Sequence, residues 1–170
     1  MSFPSISPKQ SFPALQSEIL AYWKANNTFK KSIESRPEDN PYRFYDGPPF
    51  ITGMPHYGSL LSSIVKDVVG RYWTMQGRRV DRTWGWDCHG LPIEEKVQKK
   101  LGLKSNKEIE ENGVKKFIDE CYNYTRDVSS EWNWYIDKIG RWVDMDRAYR
   151  TMDQDYMESV MWVFSELWKK

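Results

Sequence analysis

The stretch from Gly47 to Gly58 constrains the chain more than any other, because it holds three glycines and three prolines in twelve residues. Proline has no N–H to give a helix or a sheet ladder, so neither element can run through it. The composition predicts a long, shaped loop. Upstream, Tyr42-Arg43-Phe44-Tyr45 alternates and is rich in aromatics, which predicts a short strand. Downstream, a helix is expected from Ser59. Leu61, Ile64, Val65, Val68, Tyr72 and Met75 follow the i, i+3, i+4, i+7 pattern, and Gly77 is a natural stop. Arg79 to Trp84 reads as a second strand, closed by Gly85-Trp86-Asp87-Cys88-His89-Gly90. Strand, loop, helix and strand make a βαβ unit, with a crossover long enough for parallel strands. The expected class is α/β.

The flanks read as follows. Residues 1–10 are Pro/Ser-rich and read as an irregular arm. Ser11 caps a helix with Pro13 in its first turn, and Leu15, Ile19, Tyr22 and Trp23 give it a stripe to about Asn26. The polar run Lys30 to Pro41, broken by Pro37 and Pro41, predicts a loop. After the second strand the chain is expected to be mostly helical. Pro92–Leu101 ends at Gly102, and Ser105 with Glu108 forms a capping box before Gly113. Val114–Ile139 is long, with Phe117, Ile118, Cys121, Val128, Trp132, Tyr135 and Ile139 near helical spacing. Arg141-Trp142-Val143-Asp144 is a break. Thr151 and Gln154 suggest a further capping box for a helix through Trp168. Only two strands are predicted, whereas a doubly wound sheet usually has about four or more, so the chain reads as part of a domain.

Composition excludes several classes. The chain has 170 residues, 39% of them hydrophobic and 29% charged, which suits a folded core rather than disorder. The net charge is +1, from 25 basic and 24 acidic residues. A broad nucleic-acid-binding face needs a clear basic excess, so any such contact here is local. Two cysteines, Cys88 and Cys121, make no disulfide framework and no Cys-x-x-Cys. The start shows no charged stretch followed by an apolar one, and no apolar run reaches membrane-crossing length. A reducing cytoplasm is the expectation.

The loop also carries the chemistry. It follows a strand and opens a helix, and in an open α/β sheet ligands bind at the carboxyl ends of strands. Free amides and the positive end of the dipole at a helix start suit a phosphate. Gly58 has no Cβ to block a close approach. His56 can donate to a phosphate oxygen or add positive charge where charge develops. The pattern is neither a P-loop nor a Gly-x-Gly-x-x-Gly fingerprint.

Pro48-Pro49-Phe50-x-x-Gly53-x-Pro55-His56-x-Gly58 resembles the first signature of class I aminoacyl-tRNA synthetases. The later Gly85-Trp86-Asp87-Cys88-His89-Gly90-Leu91-Pro92-Ile93-Glu94 resembles the isoleucine enzymes, as does Trp142-Val143-Asp144. The resemblance runs from about residue 15 to 170. It implies the first half of a Rossmann-like parallel-sheet catalytic domain over 42–170, ending before an editing insertion, with an arm, helix and loop over 1–41. The implied reaction is ATP-dependent activation of L-isoleucine to its adenylate, followed by transfer to tRNA. It implies His56 on the ATP phosphates, within an ATP-binding set of Pro55, His56, Gly58 and Ser59. Gly47 and Pro48 are implied in the amino-acid pocket, and Asp87 on the substrate ammonium. His56 and Ser59 are the implied catalytic pair. Ser59 stands where the family motif has a second histidine; it can cap or donate a hydrogen bond but carries no positive charge. ATP and magnesium are the implied co-reactants, zinc would belong to parts of such enzymes outside this chain, and tRNA would be held mostly by regions not in it. No Lys-Met-Ser-Lys-Ser loop, editing insertion or anticodon-binding helices are found.

The same residues also admit other readings. The chain could serve another aliphatic amino acid, or be a synthetase-derived binding module without catalysis. His56 could be an ordinary loop residue, and Asp87 or Ser59 a simple helix cap. Cys88-His89 does not make a working nucleophile pair, because adjacent residues on a strand end point apart. His56, Cys88, His89 and Cys121 lack the short ligand spacing of a zinc site. Cys121 reads as a core residue, Trp132, Trp134 and Tyr135 as packing, and Lys99-Lys100 and Lys115-Lys116 as solvated faces.

Overall fold

The computed structural model describes residues 7–170, so most of the expected N-terminal arm lies outside the described residues. The elements in order are α1 (Phe12–Ala25), α2 (Thr28–Glu34), α3 (Tyr57–Met75), β1 (Thr83–Trp86), α4 (Leu91–Lys100), α5 (Asn106–Asn112), α6 (Val114–Ile139), β2 (Asp144–Arg150) and α7 (Gln154–Trp168). Ser11 caps α1, accepting from the Ala14 amide at 3.4 Å. The α2 helix stands where a loop is expected. The prolines that suggest a loop follow its C-cap Ser35, where proline ends a helix without disturbing it.

The sheet is parallel but is not built from the expected pair. β1 pairs with β2, with Thr83 opposite Asp144, Gly85 opposite Tyr149 and Trp86 opposite Arg150, around a register irregularity. β2 is absent from the sequence reading because Asp-Met-Asp-Arg-Ala-Tyr-Arg carries little of the β-branched, alternating signal of a strand. It holds because Gly85 leaves room for the Tyr149 ring: a Cβ there would lie 2.2 Å from it. The expected strand at Tyr42–Tyr45 forms no ladder. Residues flanking that segment make two isolated parallel bridges with residues flanking β1, Pro41 with Arg79 and Phe50 with Asp87. Between them a cavity of about 270 Å³ separates Tyr42–Asp46 from Asp81 and Thr83. The second strand also starts later than expected and runs through Gly85 and Trp86.

The core lies between β1 and α6. Trp84, Trp86 and Trp132 meet edge-on or tilted, with ring centroids 5.2–6.0 Å apart. Ile51, Ile93, Val128, Ile136 and Val143 fill the space around them. The bounds of α6 are those the periodicity predicts, and Phe117, Val128, Trp132 and Tyr135 are buried, although Ile118 is 48% exposed. The α3 stripe behaves differently. Leu61, Ile64, Val65, Val68, Tyr72 and Met75 are all at least half exposed, and the buried residues of that helix are Ser63, Gly70 and Thr74. A buried arginine occupies that inner face. Arg82 donates to the Gly70 carbonyl at 2.6 Å and to the Thr74 hydroxyl, and burial pushes its pKa down to about 10 against the opposing pull of Asp67.

Candidate functional site

The Gly/Pro loop is fixed from two sides. On the sheet side, the Asp87 amide donates to the Pro49 carbonyl at 3.0 Å, and the Ile51 amide to the Asp87 carbonyl at 3.0 Å. On the helix side, Tyr124 Oη donates to the Thr52 carbonyl and Trp132 Nε1 to the Gly53 carbonyl, both at 2.9 Å. Ile51 between them is fully buried. Aromatic side chains on α6 therefore hold an irregular backbone that could not hold itself.

The loop delivers His56 to the start of α3, two residues before the Gly58 whose amide it caps. His56 is the N-cap: its Nδ1 accepts from the Gly58 amide at 3.1 Å. Ser59 Oγ accepts in return from the His56 amide at 3.3 Å. The helix thus begins earlier than expected, and Ser59 is its third residue rather than its cap. The bond at Nδ1 uses that nitrogen's lone pair, which assigns the ring proton to Nε2. His56 so presents an N–H donor at Nε2. The open approach expected at Gly58 is also corrected. A Cβ there would meet the His56 ring at 2.8 Å, so the bare Cα makes room for the capping imidazole.

A cavity of about 240 Å³ opens at this helix start, walled by Pro49, His56, Gly58, Ser59, Ser62, Lys66, Arg141 and the rings of Trp84 and Trp132. Three of the expected residues, His56, Gly58 and Ser59, come together here. Pro55 precedes the cap in the chain. Gly47, Pro48 and Asp87 are not on this wall. Gly47 is tied to it through Lys66, whose Nζ donates to the Gly47 carbonyl at 2.6 Å. Asp87 sits half-buried just past β1, bridged to Phe50. It does not cap α4, because Gly90 does so without a side-chain bond.

Three charged residues at the site carry no expectation from sequence. The Asp46 side chain is 3% exposed, and it pairs with Lys66 Nζ at 2.6 Å and with the buried Arg141. Arg141 also lies over the Trp84 ring at 4.8 Å and contacts Ser63 Oγ at 3.5 Å. Asp46 could have been noticed as the last residue before the loop. Lys66 is seven residues after Ser59 and so on the same helix face. For Arg141, which arrives from beyond α6, the local sequence holds no signal.

The neighbouring groups fit binding better than nucleophilic chemistry. Burial pushes the Cys88 thiol above its ordinary range, which keeps it protonated and unreactive. Thr151, expected to cap α7, instead accepts from the Cys88 amide at 2.9 Å, and Asp153 is the N-cap of that helix. Among the described residues no group of three or more His, Cys, Asp or Glu side chains could hold a metal ion. No helix there is long and apolar enough to cross a membrane. The cavity wall offers donors and cations, which is a donor set for an anion and not for a metal.

Residues 18–170 match the family of class I tRNA synthetases (I, L, M and V). The isoleucine–tRNA ligase 2 of Pseudomonas fluorescens is 51% identical over 159 residues, covering 94% of this chain and 15% of its own length. The isoleucine–tRNA ligase of Ehrlichia ruminantium strain Gardel is 52% identical over 159 residues, and that of Anaplasma marginale 47% over 168 residues. Those matches take in 94% and 99% of this chain, against 14% and 15% of the relatives' lengths. A solved structure of a LeuRS from Agrobacterium radiobacter, in a ternary complex with tRNA and LeuAMS, superposes with a TM-score of 0.64 at 17% identity, over 91% of this chain and 17% of that one. That likeness shows the fold.

Proposed function

The chain belongs to the class I tRNA synthetases, and from that premise we propose that it works as the amino-terminal part of a longer isoleucine–tRNA ligase. Residues 42–170 would be the first half of the catalytic domain, ending before an editing insertion. The observation that carries this reading is identity near 50% to isoleucine–tRNA ligases along almost the whole chain. In the proposed reaction a carboxylate oxygen of L-isoleucine attacks the α-phosphate of ATP. The bond from that phosphorus to the bridging oxygen breaks, and pyrophosphate leaves. The isoleucyl group then passes to tRNA, mostly through regions outside this chain. The same reading puts the protein with the translation machinery in the cytoplasm.

Geometry and charge support the roles proposed for the site residues. His56 donates from Nε2 to a phosphate oxygen whose charge rises in the transition state, and the start of α3 adds its dipole. Asp87, free of any capping duty, takes the substrate ammonium in a charge-assisted bond. Gly47 and Pro48 shape the amino-acid pocket beside it. Ser59 holds the capping box closed and turns its hydroxyl to the cavity. Magnesium, when bound to ATP, would offset phosphate charge. Among the described residues no group of three or more His, Cys, Asp or Glu side chains forms a dedicated site for it.

Amino-acid-dependent ATP–pyrophosphate exchange by the full-length protein tests this reading. Isoleucine should support far faster exchange than leucine, and faster exchange than valine. Exchange driven best by leucine or valine would move the assignment to another aliphatic amino acid. No exchange with any of the three would favour a binding module and overturn the enzymatic reading.

A further inference from the structure

His56 and Ser59 bring hydrogen-bond donors to the cavity at the start of α3, and an anion in a recess also needs a fixed charge to hold it. Two cations reach the wall, Lys66 and Arg141. Arg141 is committed: it is 4% exposed at its side chain and paired with a carboxylate that is 3% exposed. Lys66 is not. Its side chain is 26% exposed and leans back along α3 toward the helix start, as helical side chains do. Its Nζ is 2.6 Å from Asp46 Oδ1, but that oxygen receives no aligned hydrogen bond. The one aligned bond of Lys66 goes to the Gly47 carbonyl. An ammonium has three donors, so capacity remains. Two cations against one carboxylate leave the wall net positive.

We propose that Lys66 is a further phosphate-binding residue of this site, a cation held ready by Asp46 and the Gly47 carbonyl that turns toward a polyphosphate entering the cavity. Arg141 satisfies Asp46 from behind, so the carboxylate keeps a partner when Lys66 moves. The bond from Lys66 to Gly47 couples the two halves of the site. One end of the side chain's reach is the loop proposed to cradle the amino acid, and the other is the phosphate cavity. This role deepens the ligase reading and rests on it for the identity of the anion as ATP.

Two measurements on the full-length protein test it: isothermal binding of inorganic tripolyphosphate, and isoleucine-dependent pyrophosphate exchange. The variants are Lys66→Met, which keeps the apolar stem, and Lys66→Arg, which keeps the charge. Lys66→Met is expected to weaken tripolyphosphate binding about tenfold or more and to slow exchange by about 100-fold, with KM for ATP raised and KM for isoleucine little changed. Lys66→Arg should recover most of both losses. Unchanged binding and exchange in Lys66→Met would overturn the proposal. So would equal losses for both substrates, a lower unfolding midpoint and no rescue by arginine, the pattern of a purely structural lysine. If the wild-type protein binds tripolyphosphate through Lys66 but shows no exchange with any amino acid, the ligase reading fails and the anion site stands.

Discussion

Helices α3 and α6 look alike in sequence and behave as opposites in the fold. Each carries an apolar stripe at helical spacing. On α6 the stripe is covered: Val128, Trp132 and Tyr135 pack with Ile51 of the loop and Trp84 and Trp86 of β1, and Phe117 is buried further along the helix. On α3 the stripe faces outward, with Val65 and Val68 at 57% and 59% exposure, and the helix docks through Ser63, Gly70 and Thr74. Periodicity therefore marks a face suited to burial without saying what buries it. Small residues make the contact on α3 because Arg82 needs the room. A Cβ on Gly70 would lie 2.4 Å from Arg82 Nε. α6 builds the core, and α3 contributes its first turn to the site.

The largest expected effect on stability is at Trp132. Its replacement by alanine removes a buried ring and the tether to Gly53, and should cost about 3–5 kcal/mol in urea unfolding of the chain. A cost below about 1 kcal/mol would mean that α6 does not carry the core. Next comes Gly70→Ala on the inner face of α3, expected to destabilise by about 1–3 kcal/mol through overpacking against Arg82. If that variant is neutral, the close approach of Arg82 to the inner face of α3 is wrong. On the outer face, Leu61→Ser and Val68→Ser should each change stability by less than about 0.5 kcal/mol while reducing hydrophobic-dye binding and self-association of the chain. A large destabilisation from either would show that the α3 stripe is buried after all. The smallest effect concerns pH. Burial raises the Cys88 pKa, so its contribution to stability is fully present below the ordinary thiol range and is lost as pH rises from that range through the raised folded value. Cys88→Ala should make the fall in stability above neutral pH shallower, as read from unfolding midpoints across a pH series.

The sequence was legible where a residue type forces a local outcome. Pro48, Pro49 and Pro55 made the loop unavoidable, and Gly113 and Gly140 bounded α6 at the predicted residues. It failed where tertiary contact decides. The polar β2 is a strand because β1 offers Gly85 beneath Tyr149, which no window around residue 147 contains. Tyr42–Tyr45 has strand composition but meets a cavity where its ladder would be. In the candidate site, His56, Gly58 and Ser59 were recognisable from one contiguous motif. The reason for Gly58 was not, since it depends on which way the His56 ring turns. Arg141 was invisible because 95 residues separate it from its partner Asp46.

The proposed function stands or falls on the first turn of α3 holding the ATP phosphates while isoleucine is activated, with the Nε2 proton of His56 as a donor to the reacting phosphate. Pre-steady-state isoleucine-dependent pyrophosphate exchange by His56→Ala in the full-length protein tests it most directly. The rate should fall by roughly 100- to 1,000-fold, with a much smaller change in ATP affinity, because only contacts that strengthen in the transition state accelerate chemistry. An unchanged exchange rate in a folded His56→Ala protein would contradict the account.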